Sequence, residues 1–208
     1  MGRIALVAAI AATAGDLLLL ATSSAGRPGF EWLPAPSESA LLVGTYLGVL
    51  AIPCYGLGYR DVARHLSPPY RGVVAALGVA GGVLGGTTHG LTGLAIHVAS
   101  TGGMTGIDPV TMLARYGAYL LPLWALIGVG LVIGSTAFAV GVARGRSSLP
   151  RWMALANPWF VTLAIVLAGT PSEIGRTFLV PAAPNVAHVV FFALAAATAT
   201  SVDGDRGS

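Results

Sequence analysis

Residues 72–99 read GVVAALGVAGGVLGGTTHGLTGLAIHVA and contain no Asp, Glu, Lys or Arg. Small residues and histidines recur there at four-residue spacing, which places them on shared faces of a helix. The two rows are Gly78, Gly82, Gly86 and Gly90, and Gly81, Gly85, His89, Gly93 and His97. In water each glycine would destabilise a helix by about 1 kcal/mol relative to alanine. In a bilayer the backbone has no other hydrogen-bond partner and small residues let helices approach closely, so the stretch predicts a central transmembrane helix.

The composition is that of an integral membrane protein. Of the 208 residues, 55% are hydrophobic and only 9% are charged, and the mean hydropathy is +0.79. Soluble domains contain about 25% charged residues. The net charge of +3 comes from arginines in short loops. We therefore expect a lipid bilayer, and no nucleic acid, as the partner of this chain.

Six segments are apolar over about the 20 residues that a membrane span requires. They are residues 4–22, 40–59, 72–99, 116–143, 152–169 and 185–202. The sequence thus predicts a single all-α domain over residues 1–208, a six-span bundle around the glycine-rich third helix. The first segment also has features of a signal peptide. Its length and its Asp16 favour an uncleaved span instead.

The arginines predict the orientation, because positive charge favours cytoplasmic loops. The chain contains 11 basic residues, all of them arginine. One side of the predicted bundle holds Arg3, Arg60, Arg64, Arg71, Arg144, Arg146, Arg151 and Arg206, and the other holds Arg27, Arg115 and Arg176. We expect a multi-pass protein of the inner (plasma) membrane with both termini in the cytoplasm.

Three ionisable residues, Asp16, His89 and His188, fall inside predicted spans, in the outer half of the bilayer. Such a group in hydrocarbon costs several kcal/mol unless it is paired or hydrated. We therefore expect the three to face one another around a polar cavity that opens to the outer side. These three are the candidate catalytic residues. The candidate substrate-binding residues at similar depth are Tyr46, Tyr119, Asn185 and His97.

Three interpretations of this cluster compete. Asp16 and His89 would form an acid–base pair, since a carboxylate fixes the tautomer of an imidazole and raises its basicity. Alternatively, Asp16, His89 and His188 would bind a Zn or Fe ion. His97 would not join them, because it lies about 12 Å from His89 along a regular helix. In the third interpretation the residues form a structural hydrogen-bond network.

The preferred function is an enzyme that acts on a lipid-like or other hydrophobic small molecule by acid–base chemistry. Isomerisation, cyclisation and hydrolysis of an ester or vinyl ether are all compatible with it. The sequence leaves open whether the protein is an enzyme. The alternatives are a small-molecule transporter or binder, which glycine-rich and breakable spans favour, and a membrane scaffold that forms homo-oligomers through its glycine faces.

Four short motifs occur in the spans. They are Gly15-Asp16 in the first, Pro53-x-Tyr55-x-x-Gly58 in the second, Asn157-Pro158 in the fifth and Asn185-x-x-His188 at the start of the sixth. Together they resemble a small bacterial family of six-span integral membrane proteins of unknown function. The resemblance covers most of the chain and implies the six-span fold, but it implies no activity.

Overall fold

The computed structural model describes residues 2–21, 36–101 and 109–204. These residues form α-helices joined by short turns, and they contain one isolated β-bridge but no β-strand. The helices are α1 (Gly2–Leu20), α2 (Glu38–Ala51), α3 (Tyr55–Ala63), α4 (Pro68–Thr101), α5 (Pro109–Ala143), α6 (Pro158–Gly169) and α7 (Val180–Gly204). A 3-10 turn, Ile52–Cys54, joins α2 to α3, and a π-helical turn, Gly175–Leu179, leads into α7.

Five helical segments of the described chain are long and apolar enough to cross a membrane. They are Gly2–Leu20, Glu38–Ala63, Pro68–Ala99, Arg115–Ala143 and Gly175–Thr198. The predicted all-α class is confirmed, and the chain has the long apolar helices of a membrane protein. The second segment contains the 3-10 turn, which Pro53 occupies.

The helix at the predicted fifth span, residues 152–169, is shorter in the structure than the sequence predicts. Its first residues form a 3-10 turn, and α6 has only 12 residues. Such a helix is about 18 Å long, against a hydrocarbon core of about 30 Å. The cause is Asn157, whose side chain caps the helix by accepting a backbone N–H three residues later. Pro158 follows at the first helical position, where a missing N–H is tolerated.

One end of the bundle carries the N-terminus and two arginine-rich loops. The backbone N–H of Gly2 donates to Asp61 Oδ2 at 3.1 Å, near the end of α3. The loop after α3 pairs with the loop after α5, since Ser148 N–H donates to the His65 carbonyl at 3.0 Å. We call this side, which holds Gly2 and residues 61–67 and 144–151, the arginine-rich end.

The last helix also runs towards the arginine-rich end. Asp16, late in α1, contacts Asn185, early in α7. Ala5, early in α1, and Phe192, later in α7, both lie against Gly58 of α3. Helices α1 and α7 are therefore antiparallel. Because α5 also ends at the arginine-rich end, the chain between α5 and α7 must return to the opposite end.

One glycine row of α4 packs against the chain's own backbone. A Cβ on Gly82 would lie 3.2 Å from the carbonyl oxygens of Ile52 and Pro53, and one on Gly86 would lie 3.2 Å from that of Val49. The glycines thus let α4 contact the 3-10 turn and the end of α2 directly. A Cβ added to Gly81, which lies on a neighbouring face of α4, would have no atom within 4 Å.

Candidate functional site

The carboxyl group of Asp16 is paired on both oxygens inside the bundle. Asp16 is only 5% exposed. Its Oδ2 accepts a hydrogen bond from Asn185 Nδ2 at 2.6 Å, and its Oδ1 lies 3.5 Å from His89 Nδ1. The carboxyl group therefore joins α1 to α7 and to α4, as the sequence predicts for ionisable residues within spans.

Three glycines make room for this pair. A Cβ on Gly15 would lie 2.8 Å from the carbonyl oxygen of Gly44, and a Cβ on Gly44 would lie 2.8 Å from that of Gly15, so α1 and α2 touch through their backbones. A Cβ on Gly48 would overlap the imidazole ring of His89. Without these glycines, the histidine of α4 would not reach the carboxyl group of α1.

The hydrogen bond of His89 to the backbone determines where its ring proton lies. His89 Nε2 is 3.1 Å from the carbonyl oxygen of Gly44. A carbonyl oxygen only accepts hydrogen bonds, so Nε2 must carry a proton. Nδ1 faces Asp16 Oδ1. Because an ionised carboxylate would be repelled by the lone pair of an unprotonated Nδ1, we expect one further proton on one of these two atoms. At 3.5 Å the two atoms are about 0.5 Å beyond usual hydrogen-bond distance, so a small approach would allow transfer of this shared proton.

A second pair lies beside the first. The Tyr59 hydroxyl is 2.9 Å from His188 Nε2, and His188 Nδ1 is 2.7 Å from the carbonyl oxygen of Pro184. Because that carbonyl only accepts, Nδ1 carries the proton, and in the neutral ring Nε2 accepts from the phenol. The two pairs are adjacent, since the ring of Tyr55 stacks on His188 with centroids 4.5 Å apart and its hydroxyl donates to Asn185 Oδ1 at 2.7 Å.

Together these residues form one wall of a cavity of about 140 Å³. We define the polar cluster as Asp16, Tyr55, Tyr59, His89, Asn185 and His188, all of which line the cavity. Most of the remaining lining is apolar or glycine, from α1, α4 and α5. A mainly apolar cavity with a few convergent polar groups is the usual form of a small-molecule site.

Two glycines create much of the open space. Gly81 of α4 and Gly130 of α5 both line the cavity, and neither has any atom within 4 Å of the position of a Cβ. A Cβ at either position would meet no neighbouring atom, so a larger side chain there would begin in open space at the cavity wall. These two positions therefore offer a direct way to fill the site while keeping its walls.

The structure brings together four of the seven site residues predicted from the sequence. Asp16, His89, His188 and Asn185 all lie in the cavity wall. The other three do not line this cavity: Tyr46 is 61% exposed on α2, Tyr119 is 77% exposed on α5, and His97 is exposed near the end of α4. Of the seven, only the first four lie where they could contact a molecule bound in this cavity.

Among residues 2–21, 36–101 and 109–204, no three His, Cys, Asp or Glu side chains lie close enough together to hold a metal ion. Asp16 and His89 are adjacent, but both ring nitrogens of His188 are engaged by Tyr59 and Pro184. The set considered for Zn or Fe from the sequence is therefore not assembled as a three-ligand site.

Tyr55 and Tyr59 were not among the site residues predicted from the sequence. They lie four residues apart on α3 and extend the polar cluster towards the arginine-rich end. Their four-residue spacing and the Pro53-x-Tyr55-x-x-Gly58 motif are the available signals. The signals were insufficient because the face that α3 presents to α7 is determined by the 3-10 turn at Pro53.

Fold and site define a helical protein with long apolar helices and a buried cluster of titratable side chains at the wall of a cavity. The chain belongs to the family of unknown function DUF6796, which matches residues 1–201. This confirms the predicted membership of a family of unknown function. No curated protein and no solved structure matches the chain.

The two buried histidines are expected to carry ring protons on different nitrogens. His89 should be protonated at Nε2 and His188 at Nδ1, because each of these atoms faces a backbone carbonyl. Nitrogen-15 NMR of the histidine-labelled protein would report both positions, with signals assigned through His89→Gln and His188→Gln. His65→Gln, in the loop after α3 and outside the cavity, is the control that should leave both patterns unchanged. An unprotonated Nε2 at His89 or an unprotonated Nδ1 at His188 would contradict this geometry.

Proposed function

We propose that this protein is a membrane enzyme that moves a proton to or from a hydrophobic small molecule bound in the cavity. The observation that carries this proposal is the Asp16–His89 pair, whose Oδ1 and Nδ1 atoms lie 3.5 Å apart in the wall of the cavity. General acid–base catalysis requires a titratable group beside the reacting atoms, and it contributes about 10²- to 10⁴-fold to rates.

Three groups around His89 have distinct roles in the proposal. Asp16 orients the imidazole and exchanges the shared proton with it, while the Gly44 carbonyl keeps Nδ1 directed at the carboxyl group. Asn185 is a positioning residue, because its amide holds Asp16 Oδ2 at 2.6 Å. Preorganised polar groups of this kind are effective where water is scarce and the effective dielectric constant is low.

The Tyr59–His188 pair supplies a second proton-transfer position in the same cavity. Its phenol donates to a histidine whose other nitrogen is held by a backbone carbonyl. Two such pairs suit a reaction that removes a proton at one substrate atom and adds one at another, as isomerisation and cyclisation do. Hydrolysis would use the first pair to activate a water molecule.

The closed end of the cavity favours an enzyme or a binder over a transporter. Phe138, Phe191 and Phe192 are at most 2% exposed, and Phe138 packs edge-to-face on Phe191 with centroids 5.1 Å apart. Tyr59 contacts the rings of Phe191 and Phe192. These aromatic rings fill the bundle on the arginine-rich side of the cavity, so a transport path would require them to move.

The proposal is tested by following isotopes from water into lipids. Purified protein in lipid nanodiscs would be incubated with a total lipid extract in D₂O or in oxygen-18 water, and lipid masses would be measured. The wild type should label at least one lipid. Asp16→Asn should reduce labelling at least about 100-fold, because the amide removes the shared proton but still accepts the hydrogen bond from Asn185.

Tyr46→Phe is the matched control for this experiment, since Tyr46 lies outside the cavity and is exposed. It should label lipids at the wild-type rate. Equal labelling by Asp16→Asn and the wild type would overturn the catalytic role of the pair. Absence of labelling by the wild type over the whole extract would favour the alternative of a structural network in a binder or scaffold.

The proposal also includes six membrane crossings around the glycine-rich α4, with both termini in the cytoplasm of a plasma-membrane protein. Helices α5 and α7 both run towards the arginine-rich end, which supports α6 as the return crossing despite its 12 residues. The concentration of arginine at that end supports its cytoplasmic placement. Packing of α4 against α2, α3 and α5 supports its central position.

Cysteine labelling tests this topology. Cys54 is the only cysteine, so Cys54→Ser provides a background for Ser148→Cys in the loop after α5 and Glu173→Cys in the turn after α6. Both positions are exposed. A maleimide that does not cross membranes should label Glu173→Cys in intact cells and Ser148→Cys only after permeabilisation. The opposite pattern would place the arginine-rich end outside and refute the orientation.

A further inference from the structure

The cavity has almost no formal charge. Within the described part of the chain, Asp16 is the only Asp, Glu, Lys or Arg among its lining residues. With one proton between Asp16 Oδ1 and His89 Nδ1 in addition to the one on Nε2, the net charge of the pair is zero whichever atom holds the proton. A phosphate or carboxylate headgroup would find no cation to compensate it here, and an unpaired charge in such a site is strongly disfavoured.

The cavity opens beside an apolar stretch of α5. Trp124 lines the cavity and is also 48% exposed, so it marks the edge of the opening. It lies within the apolar segment Arg115–Ala143, about 14 Å from Arg115 along the helix. Pro181 and Pro184 of α7 line the cavity as well. On the arginine-rich side of this opening, α5 and α7 close against each other through Phe138 and Phe191.

The size of the cavity indicates which part of a ligand it would hold. A cavity of about 150 Å³ accommodates a benzene-sized group, and this one is about 140 Å³. A long-chain lipid would therefore place its head and the first part of its chain inside. The rest of the chain would leave past Trp124 into the bilayer.

From these observations we infer that the cavity binds an uncharged single-chain lipid, with its polar head at the polar cluster and its tail leaving between α5 and α7. This inference rests on the proposed function and names its substrate class: a lipid whose head is a hydroxyl, carbonyl or ester group without phosphate. A hydroxyl head matches the wall, because the oxygens of Asp16, Tyr55 and Tyr59 can each accept a further hydrogen bond there. A carbonyl or ester head would require the Tyr55 or Tyr59 hydroxyl to turn from its present partner.

Native mass spectrometry with a matched pair of lipids tests the inference. Monooleoylglycerol and monooleoylglycerol phosphate share one acyl chain and differ by the phosphate group. Added at equal concentration to the protein in detergent, the uncharged lipid should give at least tenfold more of the bound complex. Equal or stronger retention of the phosphate lipid, or no complex with the uncharged one, would overturn the inference.

Two glycines of α5 provide matched variants. Gly130 lines the cavity, Gly128 does not, and a Cβ on either would have no atom within 4 Å. Gly130→Leu should abolish the complex with the uncharged lipid, whereas Gly128→Leu should retain it. Gly81→Leu fills the cavity from α4 and should repeat the loss. Equal retention by the filled variants and the wild type would place the lipid elsewhere and overturn the inference.

Asp16→Asn separates this inference from the proposed function. The variant keeps the cavity and its hydrogen-bonding wall, so it should retain the uncharged lipid while losing isotope labelling. Binding of the uncharged lipid with no labelling by the wild type would refute catalysis and leave the binding site standing. Labelling that depends on Asp16, together with preferred binding of the phosphate lipid, would refute the substrate class alone.

Discussion

A carboxyl group within an apolar bundle must be compensated, and the pairing of Asp16 on both oxygens is the constraint on which the site depends. Asn185 holds one oxygen and His89 faces the other, so one side chain fixes the relative positions of α1, α4 and α7. Measured hydrogen bonds between membrane helices average only about 0.6 kcal/mol. The pairing is therefore more informative about position than about stability, because an asparagine at position 16 would join the same helices without burying an ionisable group.

Glycine determines where these side chains can meet. The contact of Gly15 with Gly44 brings α1 against α2, and Gly48 leaves space for the ring of His89. Elsewhere on α4, Gly82 and Gly86 lie against backbone carbonyls, whereas Gly81 faces open space in the cavity. The same residue type thus serves close helix packing on one face of α4 and an internal cavity on a neighbouring face. Both uses follow from the absence of a side chain.

Hydropathy reveals the depth of a residue in a membrane but not the direction in which it points. For Asp16, His89, His188 and Asn185, depth was sufficient to predict that the side chains face the bundle interior, because polar groups in apolar spans must be turned inward. For Tyr46 and Tyr119, depth did not predict the direction of the side chain, since tyrosine is also stable at an exposed position near the membrane surface. Tyr55 was missed because a 3-10 turn sets the face of α3. The length of α6 was overestimated because residues 152–156 are apolar without belonging to the helix.

The central claim is that Asp16 and His89 interact inside the folded protein. A double-mutant cycle tests it most directly, using reversible unfolding of the wild type, Asp16→Ala, His89→Ala and the double variant in mixed micelles. We expect a coupling free energy of about 1 kcal/mol, within the range measured for polar pairs between membrane helices. His89→Ala also removes the His89–Gly44 hydrogen bond. This loss cancels, because it occurs whether or not Asp16 is replaced. If the losses in free energy of unfolding of the two single variants add up to that of the double variant within about 0.5 kcal/mol, the two side chains act independently. That result would contradict the central claim.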